Sequence, residues 1–144
     1  MDHIAIMKKE WGLLEKILRG EKTVESRWYQ AKRVPWGRIK PGDNIYFKNS
    51  GEPVSIKARV KKVRQFADLT KEKANQLLSQ YAEADLGVSE IMPEIKEHVR
   101  DKRYAIFVFF DKVERIKPFQ INKAGFGTMS AWLLADNVKK IKKA

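Results

Sequence analysis

The sequence predicts an α+β fold in which about five to seven strands close into a small barrel with flanking helices. Three observations predict it. Strand-length segments are interspersed along the chain with stretches whose apolar residues recur at helical spacing. The segment from Pro53 to Phe66 is long for one regular strand, and its apolar parity changes between Val60 and Val63, which calls for a bulge near Lys61-Lys62. A bulge bends a strand, and a bent strand is what closure of a small barrel needs. With 144 residues, no internal repeat and no low-complexity linker, residues 1–144 are expected to form a single domain.

His3 to Met7 alternates as a first strand. Lys9 to Arg19 reads as a helix, with Trp11, Leu14, Ile17 and Leu18 at helical spacing and Gly20 placed as the C′ residue that ends it. Thr23 to Trp28 is the second strand, followed by a loop, Tyr29 to Arg38. Pro41-Gly42-Asp43 turns the chain into a strand over Asn44 to Lys48, with Ile45 and Phe47 on one face. The turn Asn49-Ser50-Gly51-Glu52 leads into the bulged strand. Thr70 is the N-cap of a helix over Lys71 to Tyr81. Ala82 to Val88 is expected to be a loop, and Ser89 the cap of a helix with Pro93 in its first turn and Ile91, Ile95 and Val99 on one side. Tyr104 to Phe110 reads as a central strand buried on both faces and Val113 to Phe119 as another. Trp132-Leu133-Leu134 is an apolar cluster, and the basic tail, 139–144, is expected to fray.

The absence of cysteine excludes disulfides, thiolate catalysis and cysteine-bound zinc, and His3 and His98 are too few for a multi-histidine metal site. No metal and no cofactor is therefore expected. No apolar run is long enough for a membrane span and no leader pattern opens the chain, so the expected location is cytoplasmic with no membrane partner. The net charge of +12 is uneven: residues 1–64 hold 16 Lys or Arg against 7 Asp or Glu, and residues 65–144 hold 14 against 11. A polyanion is the natural partner of such a surplus, because each neutralised phosphate releases a counterion.

The densest chemistry lies in Gly20-Glu21-Lys22-Thr23-Val24-Glu25-Ser26-Arg27. Alternation along the strand puts Thr23, Glu25 and Arg27 on one face and Val24, Ser26 and Trp28 on the other. Lys22 enters from the turn before it. Most of these charged residues are expected to lie outside the core, clustered at an open mouth able to hold an anion or move a proton. A lysine beside an arginine also has reason to release its proton readily. In the following loop Trp28, Tyr29 and Trp36 interleave with Lys32, Arg33 and Arg38, a composition suited to stacking bases and pairing phosphates. Parity assigns Trp28 to the core and leaves Trp36 as the stacking candidate. Lys57, Arg59, Lys61, Lys62 and Arg64 form a basic stripe that serves equally as a solvated edge or a phosphate track. Gly125-Phe126-Gly127 has the composition of a tight turn and receives no role.

The pattern G-x-K-x-x-E-x-R after a short helix, carried by Gly20, Lys22, Glu25 and Arg27 and followed by Pro41-Gly42-Asp43, resembles the ASCH family, whose fold is a PUA-like β-barrel. The likeness covers Met7 to Phe66 well and the remainder in outline. It implies a cleft between the Lys9 to Arg19 helix and the Thr23 to Trp28 strand that binds RNA or a nucleotide, with Lys22, Glu25, Arg27, Arg33, Trp36 and Arg38 as contact residues. A branch of that family deacetylates N4-acetylcytidine. The resemblance to that branch implies Lys22 as base, with Glu83 or Asp85 as acid. The branch's threonine nucleophile is replaced here by Glu25, and Thr23 is offset from the required spacing. The alternatives are thus an acyl-nucleobase amidohydrolase using Lys22, Thr23, Glu25 and Asp85, and a protein-interaction module using the same cluster.

Overall fold

The computed structural model describes residues 1–87, 91, 93–127 and 130–143 of the chain. Its strands are β1 (Asp2–Met7), β2 (Val24–Tyr29), β3 (Asn44–Asn49), β4 (Val54–Phe66), β5 (Tyr104–Phe119) and β6 (Trp132–Ala135). They form one mixed sheet in the order β2-β5-β4-β3-β1-β6, curled into a half-barrel. β1 runs parallel to β3, while the other neighbours are antiparallel. Among the described residues three helices, α1 (Leu13–Leu18), α2 (Lys71–Leu86) and α3 (Pro93–Val99), accompany it.

The expected bulge is present. Register between β4 and β5 shifts between Val60 and Lys62, and twice more nearer the start of β4, so the two longest strands bend together. The core has two layers. The larger joins the inner sheet face, including Phe47, Val60 and Phe107, to apolar residues of all three helices. The smaller joins Ile4, Tyr46 and Leu133 to Val54, Ile121 and Val138.

Four elements differ from expectation. The helix predicted over Lys9 to Arg19 is broken: Lys9–Trp11 is a 3₁₀ turn, and Gly12, at φ 63°, separates it from α1 because only glycine takes that conformation at little cost. The predicted loop Ala82 to Val88 is helical as far as Leu86. Ala82, Asp85 and Leu86 are buried there, and Gly87 closes α2 by donating its N–H to the Glu83 carbonyl at 2.8 Å. The strands predicted over Tyr104 to Phe110 and Val113 to Phe119 are one strand, carried through by Lys112 at positive φ. The tail expected to fray instead forms a 3₁₀ turn, Val138–Ile141, and Lys142 bridges to Ile121. Val88 and the expected cap at Ser89 lie outside the described residues. Thr70 caps α2 as expected, accepting from the Lys73 N–H at 3.2 Å.

Candidate functional site

β2 is an edge strand, so half of its backbone polar groups point away from β5 and need other partners. The end of α2 supplies them. The Thr23 N–H donates to the Ala84 carbonyl at 2.7 Å and the Ser26 N–H to Asp85 Oδ1 at 3.2 Å. The last carbonyls of α2 lack intrahelical donors, and two lysine ammoniums cap them: Lys16 Nζ donates to Leu86 O at 2.8 Å, and Lys22 Nζ donates to Asp85 O.

Lys22 is aimed there by the end of α1. The Gly20 N–H donates to Ile17 O and the Glu21 N–H to Lys16 O, the paired bonds of a Schellman turn, and the Lys22 N–H also reaches Lys16 O at 3.1 Å. Its side chain is completely buried. The ammonium donates to Val24 O at 2.6 Å, Asp85 Oδ1 at 2.7 Å and Glu25 Oε1 at 2.9 Å, besides the Asp85 carbonyl. Four acceptors surround three protons, so none is spare.

Glu25, only 4% exposed, is held from both sides. Its Oε2 accepts from Arg27 Nε at 2.9 Å and Nη2 at 2.8 Å. Arg27 then reaches across the gap in the half-barrel. Nη1 donates to Ala131 O at 3.0 Å and Nη2 to Ile6 O at 3.1 Å, with the guanidinium over the Trp132 ring. One arginine thereby joins the free edge of β2 to β1 and the start of β6. Ser26 links the other face: its hydroxyl donates to Asp85 Oδ2 at 2.5 Å and accepts from Trp28 Nε1 at 2.9 Å.

The electrostatics follow from this enclosure. Burial alone would lower the Lys22 pKa, but Asp85 and Glu25 outweigh it and hold the pKa above the ordinary lysine value. Burial likewise opposes charge on Glu25, but Lys22 and then Arg27 dominate and hold its pKa below the ordinary carboxylate value. The expectation that Lys22 releases its proton is therefore reversed, because its nearest charged groups are carboxylates and not Arg27.

Beside this cluster opens a cavity of about 870 Å³, walled by β2, β6 and the ends of α2 and α3. Glu25, Ser26, Arg27 and Asp85 line it together with the rings of Trp28, Tyr29 and Trp132. The predicted cleft between the first helix and β2 is displaced: the helical segment contributes Trp11 and Leu13, and the opposite wall comes from α3.

Among the sequence-selected residues, the cavity gathers Glu25, Arg27, Arg33, Arg38 and Asp85. Lys22 and Glu25 are buried where exposure was expected, because the partner that neutralises Lys22 lies on α2, remote in sequence. Direct contact between Lys22 and a phosphate is excluded by that burial. The Thr23 and Glu83 side chains are exposed and outside the lining. Trp36 is half-buried, packed edge-on against Tyr104 at 5.3 Å with Lys32 near its ring, and does not line the cavity. Sequence reasoning missed Ser26, His98 and the cavity walls Trp132 and Phe126. Strand parity placed Ser26 beside Trp28, the one available signal. His3 is sealed in the fold, accepting from Trp132 Nε1 on Nδ1 at 3.1 Å and donating from Nε2 to Asp43 at 2.9 Å.

The half-barrel and its helices define an α+β protein that shares its fold with solved ASCH proteins. The ASCH protein from Zymomonas mobilis has the same fold, with a TM-score of 0.65 at 16% identity over 96% of this chain and 91% of that one. A tyrosine-to-phenylalanine mutant of that protein superposes with a TM-score of 0.67 at 16% identity, covering 96% and 93% of the two chains. No protein-family model matches the sequence, and no curated protein matches it.

Proposed function

We propose that the cavity receives a base of single-stranded RNA or of a nucleotide, with phosphate on its cationic rim. One observation carries this reading: the cavity wall presents two anchored carboxylates, each with an acceptor position left open among the described residues. Glu25 uses one position of Oε1 and both of Oε2, and Asp85 uses both positions of Oδ1 and one of Oδ2. An exocyclic amine of adenine, cytosine or guanine offers the N–H donors that such acceptors need. Trp28, Tyr29 and Trp132 supply apolar walls for the ring, and Arg33 and Arg38 supply positive charge at the edge.

The hydrolytic alternative draws no support from Lys22, whose ammonium is saturated and behind the cavity wall. Binding is tested by tryptophan fluorescence, since Trp11, Trp28 and Trp132 line the cavity. Oligoadenylate and oligocytidylate should quench saturably, and affinity should fall about twentyfold between 50 and 200 mM salt for about three engaged phosphates. No saturable quenching below high micromolar concentrations, or affinity indifferent to salt, overturns the reading.

A further inference from the structure

The α3 side of the cavity carries a second feature, built from residues that the base-binding reading leaves unused. His98 projects from α3 into the cavity lining and has no hydrogen-bond partner among the described residues. The charged groups acting on it come from three directions: Lys8 from the segment after β1, Arg27 from β2 and Lys102 from the segment after α3. All three are cations. Lys8 lines the cavity, with its ammonium 4.8 Å from the Trp11 ring centre and no carboxylate partner among the described residues. Arg27 is held by Glu25, Ile6, Met7 and Ala131, with the Tyr29 hydroxyl beside its guanidinium, so it contributes charge more than free donors. The carboxylates of the inner wall, Glu25 and Asp85, are paired with Lys22 and Arg27 and do not offset Lys8 or His98.

We infer that Lys8 and His98, backed by the charge of Arg27, form a phosphate subsite, and that the preferred ligand is a nucleoside carrying a terminal phosphomonoester. This rests on the base-binding reading and specifies its ligand. A monoester dianion is matched by two cations and several donors, whereas a phosphodiester presents one charge. Although His98 is exposed, partial desolvation together with Lys102, Lys8 and Arg27 keeps the free imidazole below its ordinary pKa, so it is neutral near neutrality. An arriving phosphate reverses that field, and the ring takes up a proton as it binds.

The same group is offered by a free nucleotide and by a phosphorylated RNA end. Adenosine 5′-monophosphate against adenosine, and a 5′-phosphorylated oligoadenylate against its hydroxyl-ended counterpart, distinguish the two sources. Calorimetry in buffers of different ionisation enthalpy reads proton uptake directly. The expected result is at least about tenfold tighter binding of one or both phosphorylated probes, with uptake of a fraction of a proton that the hydroxyl-ended probes lack. His98→Gln should abolish the uptake and most of the preference. His98→Lys should restore the preference without the uptake, and Lys8→Gln should weaken phosphorylated probes alone. Equal affinities with and without phosphate, or the same proton uptake in His98→Gln, overturn the subsite while leaving base binding intact. Failure of every probe to bind overturns both.

Discussion

The Lys22 ammonium lies 2.7 Å from Asp85 Oδ1, so two charges 63 residues apart in sequence meet inside the protein and lock the end of α2 against the edge of β2. Glu25 and Arg27 extend this lock to the seam where β2 faces β1 and β6. The cluster shapes the cavity from behind, and its stability and its function are therefore coupled.

Replacing Lys22 by methionine keeps the length of the side chain and leaves Glu25 and Asp85 in a buried site without their shared cation. Breaking a buried pair in this way costs about 3–5 kcal/mol. Urea unfolding should show a loss of that order; a change below about 1 kcal/mol would mean that the ammonium is dispensable.

Acid and alkali should act on the same cluster. Glu25 titrates in the folded state below its ordinary 4.5, so its contribution is complete above that value and disappears as pH falls through the depressed range. Lys22 titrates above its ordinary 10.5, so its contribution is complete below that value and disappears as pH rises through the elevated range. Denaturant midpoints measured against pH should decline at both ends. Glu25→Gln should flatten the acid limb, and an acid limb unchanged in that variant would contradict the assignment.

Arg27→Lys retains charge but loses the planar fork that bonds Glu25, Ile6 and Ala131 together. The expected loss is about 1.5–3 kcal/mol. Faster hydrogen exchange should appear at the Ile6 amide, which donates to Ala131 O at 2.9 Å beside the seam. Unchanged exchange there would show that the seam holds without the guanidinium.

Gly87→Ala tests the junction from the helix side. Gly87 has φ 67°, and an added Cβ would lie 3.0 Å from Lys16 Cδ, whose ammonium caps Leu86 O. A loss of about 1–2 kcal/mol is expected from the backbone alone. Thermal unfolding reads it, and an unchanged midpoint would contradict the strained turn.

Much of the fold was legible because it depends on local pattern. The bulge near Lys61-Lys62 follows from a parity change that a regular strand cannot absorb, and the Thr70 cap follows from its hydroxyl beside a helical stretch. The break at Gly12 was legible in principle, but the apolar spacing of Trp11 and Leu14 outweighed it. The extension of α2 was missed because Ala82 to Leu86 lacks a clear stripe until β2 is beside it, although Gly87 marks its end.

The candidate site divides in the same way. Glu25 and Arg27 lie two residues apart on a strand, so their pairing is visible in sequence. The burial of Lys22 is not, because the partners that make it tolerable include a carboxylate on a distant helix, and local reading sees only a charge beside a glycine. Resemblance pointed to Asp85, and tertiary packing moved it from the expected loop to the last turn of a helix. His98 has no local motif; its neighbours converge from three separate segments.

Whether a Lys22 ammonium that stays protonated through the neutral range holds the two carboxylates in place can be read from nitrogen-15 spectroscopy of the lysine side chains. A slowly exchanging Lys22 ammonium resonance should persist to about pH 10, and Asp85→Asn should shift it and speed its exchange. A Lys22 nitrogen with the chemical shift of a neutral amine near pH 8, or one insensitive to Asp85→Asn, would contradict the account.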